Sequence, residues 1–340
     1  VLEPEKPESG APEPVGFEAW TIPGALDGER LDRAMAVVTG LSRSEVNRLL
    51  DAGRVRIARR VVTSRSRRMH TGEKVTVEGD ITRIEPGMTV AEADVDVPIV
   101  YQDDQVVVVD KPAGLVVHPG AGNRTGTLVS GLLARFPDLA ALAVGDQVER
   151  PGIVHRLDKG TSGLLVVART REARESLVSQ MASRQVGREY LTLVAGRVES
   201  DAGLIDGPLA RSDIDPTRIR VQAGGRDART RYEVERRFDN PTATTLLRCR
   251  LETGRTHQIR VHLASIGHPV LGDDRYGVRG LKGWYPLPPG RPFLHAARLS
   301  FDHPTSRQRV SFVSPTPEDL LGVISVVESD RSPLLPEPGA

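Results

Sequence analysis

Residues 152–170 read GIVHRLDKGTSGLLVVART. One carboxylate, Asp158, stands between Arg156 and Lys159, and Thr161, Ser162 and Gly163 lead from it into the apolar run LLVVA. A short apolar run bounded by turn residues reads as a buried strand, which puts the acid at the strand's mouth. An Asp beside Thr-Ser-Gly ordinarily makes a turn or a cap. Flanking cations on both sides are not needed for a turn, so Asp158 is a candidate for chemistry that uses a single acid.

Outward from that strand the chain alternates irregularly between strands and helices. Thr170 is placed to cap a helix over 171–185, with Ala173, Leu177 and Met181 recurring every four residues on one face. REYLTLVAG (188–196) and TTLLRCRLETG (244–254) alternate as strands, the second with Leu247, Cys249 and Leu251 on one face. Upstream, QVVVVDKPAGLVVHPG (105–120) reads as a strand, a Pro-Ala-Gly turn and a second strand. In LETGRTHQIRVHLASIG (251–267), Thr256 is a cap candidate and Ile259, Leu263 and Ile266 form a core stripe. Arg260 lies off that stripe, as either a surface residue or the partner of a buried acid. Without regular strand–helix alternation the fold class is α+β, with a mixed, largely antiparallel sheet.

The chain has 340 residues and 39% apolar content, enough for two or three domains with a sizeable core. Its single cysteine, Cys249, rules out an intrachain disulfide and a multi-cysteine zinc site and fits a reducing compartment. No apolar run approaches the length of a membrane span, and the start lacks the order of a secretory signal, so the expectation is a soluble cytoplasmic protein. The net charge of +1 is unevenly spread. Residues 29–74 carry eleven Arg and one Lys against five acids, whereas residues 1–20 carry five Glu and one Lys. A compact basic segment in a balanced chain points to a polyanion-binding module.

That segment reads as two helices, with Leu31, Met35 and Val38 buried in the first and Val46, Leu49 and Leu50 in the second. Ser42 and Glu45 have the spacing of a capping box, and Gly53 is the stop. Short strands in RVRIARRVV (54–62) and EKVTVEG (73–79) follow. The expected organisation is an acidic, Pro-rich tail to residue 16, a small domain over 17–80, a linker over 81–98, a larger domain over 99–325, and a second tail over 326–340.

Several chemistries are excluded by pattern. His257 and His262 are five apart and converge on one ion in neither a helix nor a strand, and His118 and His155 stand alone. There is no Gly-x-Ser-x-Gly elbow, and DKGTSG lacks the opening glycine and spacing of a phosphate loop. A glycosidase needs two cooperating carboxylates, and this motif offers one.

The 29–79 segment resembles the S4-type RNA-binding module, with Arg59 and Arg60 standing where that module has Asn-Gly. The resemblance implies RNA contacts from Arg43, Arg48, Arg54, Arg59 and Arg60. The rest resembles the RluA-type pseudouridine synthases. HRLDKGTSG looks like that family's signature, DKPAGLVVHPGAGN matches the segment before it, and GREYLTLVAG and LETGRTHQIRVHLASIGHPVLGD match the next two motifs in order. Within the family it is most similar to the large-subunit ribosomal RNA branch.

The resemblance implies an isomerase that breaks the uracil N1–ribose C1′ bond, turns the base, and joins C5 to C1′. Such a reaction adds no water and moves no electrons elsewhere, so no cofactor and no metal is implied. One carboxylate suffices, either as a nucleophile at C1′ or as a base at C2′. Asp158 matches that residue, Arg260 its basic partner, Tyr190 the residue stacking on the target uracil, and Arg156 the residue entering the space of the flipped nucleotide. The implied partner is RNA: large-subunit ribosomal RNA, or alternatively tRNA, acted on by a monomer. Two rival readings are a non-catalytic S4-type RNA-binding or ribosome-assembly factor and an RNA N-glycosidase, which would lower the RNA's mass where isomerisation does not.

Overall fold

The computed structural model describes residues 17–39, 41, 43–79, 89–119, 123, 125–144, 147–212, 215, 218–277 and 285–329. The chain divides into two compact units, Val1–Gly87 and Met88–Ala340.

In the first unit, β1 (Phe17–Thr21), α1 (Leu31–Thr39), α2 (Arg43–Asp51), β2 (Val55–Ile57), β3 (Arg60–Val61) and β4 (Lys74–Glu78) form an antiparallel sheet ordered β1-β4-β2-β3 beside a helix pair. Period-two burial puts Val75 and Val77 of β4 against Leu31 and Met35 of α1 and Val46, Leu49 and Leu50 of α2. Gly53 stops α2 at φ +68°. The proposed capping box lies outside the described residues, as does the Arg43 side chain. The β2–β3 turn is made by Ala58 and Arg59 at φ 48° and 64°, a two-residue left-handed turn without glycine. It therefore sits one position earlier than the Arg59–Arg60 pair expected from sequence, and Arg60 opens β3. β1, which pairs along the whole of β4, was not anticipated.

The second unit is built on one mixed sheet. Its strands are β5 (Ile99–Gln102), β6 (Val106–Lys111), β7 (Ser162–Ala168), β8 (Gly187–Ala195), β9 (Ala202–Asp206), β12 (Arg229–Phe238), β13 (Thr244–Leu251), β14 (Leu294–Asp302) and β15 (Arg309–Val313); β10 (Leu209–Arg211) and β11 (Ile219–Val221) form a separate hairpin. The order is β5-β6-β7-β14-β8-β13-β12-β9, with β15 also on β14. Among the described strands only β7 and β14 pair in parallel, so the sheet is largely antiparallel as expected. Helices cover both faces. Val106 and Val108 of β6 and Leu164 and Val166 of β7 pack with α4 (Arg171–Ala182), while Val107, Val109, Leu165 and Val167 face α3 (Leu128–Arg135), α5 (Gln258–Ser265) and α6 (Glu318–Glu328). Burial on both faces explains why these strands read as unbroken apolar runs. The Thr170 cap forms, its hydroxyl accepting from the Ala173 amide at 3.1 Å.

Four expectations shift. The second strand of the 105–120 stretch does not form: Val116 and Val117 offer their carbonyls to the first amides of α3, Leu128 and Val129, and Val116 makes a single bridge. Residues 89–98, expected to be linker, pack on the larger unit through Val97 in the core and the Glu92 carboxylate on the Gly126 amide. α6 continues to Glu328, past the expected start of the tail. The stripe of α5 is Ile259 and Leu263 only, Ile266 being 40% exposed. Among the described residues no helix is long and apolar enough to cross a membrane.

Candidate active site

Asp158 lies in the loop that enters β7, and two buried cations hold that loop by its backbone. Lys111 at the end of β6 is fully buried and donates to the carbonyls of Pro112 and Leu115 at 2.8 Å each and of Lys159 at 3.3 Å. Burial, and next the charge of Arg291, pushes its amine down from 10.5 to about 7, against the pull of Asp158. On the other side Arg291 donates to the Gly160 carbonyl at 2.9 Å and to Ser162 Oγ at 2.9 Å, while pairing with Asp319 of α6 at 2.6 Å. Gly163 sets how closely β7 approaches β14. Its φ is +113°, and a Cβ there would lie 2.4 Å from the Ala296 carbonyl oxygen. The Thr-Ser-Gly sequence after Asp158 is thus a packing requirement as well as a turn.

Arg260 reaches Asp158 from α5, 102 positions away in sequence, with Nη1 3.1 Å from Oδ2. Its other two nitrogens clasp Asp273: Nε donates to Oδ2 at 2.7 Å and Nη2 to Oδ1 at 2.8 Å. The expected pair therefore forms, but the bidentate fork is given to Asp273, a fully buried carboxylate that sequence reasoning passed over. Burial works against both charges. Their mutual bond prevails, holding Arg260 above and Asp273 below its ordinary pKa, with the Tyr276 and Arg275 amides adding to the hold on Asp273.

The helix that delivers Arg260 begins unlike the expected Thr256 cap. His257 is the capping residue, in the left-handed region at φ 56°, and its side chain makes no cap bond. The Gln258 amide oxygen accepts from Thr253 Oγ1 at 2.7 Å and the Arg255 amide at 3.0 Å, fixing the preceding loop. His257 Nδ1 lies 2.8 Å from the Tyr276 hydroxyl, which also accepts from the Ile219 amide at 3.0 Å, and its Nε2 lies 3.9 Å from Asp158 Oδ2. Burial lowers the His257 pKa, with Asp158 opposing. His262 points elsewhere, to Thr230 Oγ1 and the Gly207 carbonyl.

Asp158, Tyr190, Arg156 and Arg260 line one cleft of about 530 Å³. Tyr190 enters from β8 and is 6% exposed; burial raises its pKa. Arg156 is exposed at the rim, with Nη1 3.3 Å from His118 Nε2, while His118 Nδ1 bonds the Pro119 carbonyl at 2.9 Å. His155 also lines the cleft, accepting at Nε2 from the Val166 amide; burial, then Arg188, pushes it down to about 3, so it is neutral.

In the first unit the candidate contacts differ among themselves. Arg59 and Arg60 are exposed and, among the described residues, have no ion-pair partner. Arg48 is half-buried on α2. Arg54 is turned inward, its Nε donating to the Glu78 carbonyl at 2.7 Å. Neighbouring Arg30, Arg33, Arg56, Arg65 and Arg67 pair with carboxylates of the same unit, so the basic excess is concentrated on fewer residues than a count implies.

An acid, a paired arginine and a buried tyrosine thus converge from three separate motifs on one cleft. Residues 105–265 match the RNA pseudouridylate synthase family. The ribosomal large subunit pseudouridine synthase D of Nitrosomonas europaea is 42% identical over 332 residues, 96% of this chain and 92% of that protein. That of Xanthomonas campestris pv. campestris is 40% identical, over 96% of this chain and 97% of that one. Among solved structures, human RNA pseudouridylate synthase domain containing 1 superposes with a TM-score of 0.51 at 27% identity, covering 69% of this chain and 87% of that one. The chain belongs to the RNA pseudouridylate synthase family, the enzymes that isomerise uridine in RNA to pseudouridine.

Proposed function

We propose that this enzyme acts on large-subunit ribosomal RNA, with Asp158 as the residue that begins the reaction. The target follows the names of the relatives matched along nearly the whole chain. The observation that carries the site assignment is the Arg260–Asp158 pair inside a cleft that Tyr190 also lines. A site that shields a flipped base from water cannot keep a lone carboxylate charged cheaply, and Arg260, anchored by Asp273, offsets that penalty while fixing the direction of one oxygen.

In this reading Asp158 acts at C1′ or at C2′ of the flipped nucleotide, and Tyr190 presents its ring to the uracil. Arg156, at the exposed rim, takes the place the nucleotide leaves. The first unit acts as an S4-like RNA-binding domain, with Arg59 and Arg60 as its foremost phosphate contacts and Arg43 and Arg48 as further ones, whereas Arg54, held inward by the Glu78 carbonyl, is left out of that set. The protein works as a monomer in the cytoplasm. Pseudouridine mapping of ribosomal RNA from cells with and without the protein tests the target: loss of one or more large-subunit sites is expected, and an unchanged map would refute it.

A further inference from the structure

Apart from the paired Arg260, two arginines of the cleft stand in opposite settings. Arg156 is exposed at the rim, where the RNA backbone would run. Arg188 is at the floor, only 9% exposed, two residues before Tyr190 on the same strand and on the same face of it. Among the described residues its guanidinium has no ion pair and no hydrogen bond. Room for it is left by Gly254, whose Cβ would fall 2.7 Å from Nη1. Burial lowers its pKa, and the Tyr190 oxygen is the one group acting to raise it. A buried cation without a counter-charge costs stability, and a sheet position facing a cleft would be filled more favourably by an apolar side chain.

We propose that Arg188 is a catalytic residue whose guanidinium stabilises the uracil while it is detached from the ribose. Resting on the function proposed above, this follows from where charge must go. When N1–C1′ breaks, the bonding pair leaves with the base and spreads over N1, O2 and O4. The pair is used again when C5–C1′ forms, and the proton lost from C5 is matched by one gained at N1, so nothing enters or leaves. A fixed cation at the floor, beside the ring on which the base rests, opposes the charge only while it exists and so acts on the transition state rather than on binding. A phosphate would meet the rim arginines first.

The test uses the full-length protein, with Arg188→Met and Arg188→Lys variants, on unmodified large-subunit ribosomal RNA transcribed in vitro. Single-turnover rate, RNA affinity against salt, and melting temperature are measured. The Met variant is expected to melt higher than wild type, bind RNA equally well with the same salt dependence, and react roughly 100-fold more slowly. The Lys variant, which keeps charge without the planar fork, is expected to fall between. An unaltered rate in the Met variant would overturn the proposal. So would a loss confined to affinity with a salt slope lower by about one, which marks a phosphate contact. Wild-type protein that converts no uridine would overturn the functional reading itself, an outcome separable from any effect of Arg188.

Discussion

Arg260 binds Asp158 with one nitrogen and Asp273 with two. Asp158 thus keeps an oxygen that Arg260 does not claim, while the guanidinium plane is set by Asp273, whose side chain is fully buried outside the cleft lining. In the proposed function, orientation and chemistry are divided between these two carboxylates joined through one cation.

A double-mutant cycle tests that division. Asp273→Asn alone should slow turnover and, by breaking a buried pair, destabilise the fold by about 3–5 kcal/mol. Arg260→Met alone leaves Asp273 buried without its counter-charge and should cost a similar amount. The double variant should lose far less than the sum, because neither charge is then stranded. Additive losses in chemical denaturation would mean that the pair is not the anchor.

Tyr190→Phe should bind RNA like wild type yet turn over slowly, whereas Tyr190→Ala should lose both. Base–aromatic stacking is worth about 1–3 kcal/mol and is separable from the hydroxyl. Equal affinities for the two variants would remove Tyr190 as the stacking platform.

Two buried bases should make stability rise with pH. Lys111 binds its proton up to about 7 in the folded protein but to 10.5 in an exposed chain. Between those values the unfolded state holds more protons, so stability rises with pH by about 1.4 kcal/mol per unit. His155 does the same between about 3 and 6.5, so its contribution is lost as pH falls through that range. Lys111→Met should be less stable at neutral pH, having left carbonyls without a donor, and should lack the alkaline rise. His155→Asn should lose the acid-side dependence. Melting temperatures across pH check both, and unchanged slopes in the variants would contradict the assignment.

The Ala58–Arg59 turn offers a stability test with a functional cost. Both residues hold positive φ without being glycine, a conformation costing about 1–2 kcal/mol each. Ala58→Asn should stabilise the first unit without altering RNA affinity. Arg59→Gly should stabilise it as well but weaken binding and flatten its salt dependence. Hydrogen exchange in β2 and β3 together with RNA titrations reads both effects; undiminished affinity in Arg59→Gly would take Arg59 out of the interface.

Much of the large unit was legible because its strands are buried on both faces, so β6 and β7 announce themselves as apolar runs. That Asp158, Tyr190 and Arg260 meet in one cleft was legible through the motifs that carry them. What the sequence hid were partners fixed by tertiary packing. Asp273 stands in the closing GD of the third motif, and Lys111 in DKPAG, yet neither carries a local pattern that distinguishes an anchor from a turn residue. Arg188 reads as one more strand arginine until its burial is known. The cap of α5 was misread because Thr256 has the right chemistry, whereas the loop is fixed by Gln258 one residue inside the helix. The absent second strand after Pro112 was misread because its apolar residues serve α3 rather than the sheet.

The most direct test of the account is Asp158→Asn in the full-length enzyme on unmodified large-subunit ribosomal RNA, followed by pseudouridine mapping and RNA-binding measurements. No pseudouridine, unchanged RNA mass and an affinity close to wild type are expected. Pseudouridine formed by the Asn variant, with mass spectrometry showing the residue still Asn, would contradict it.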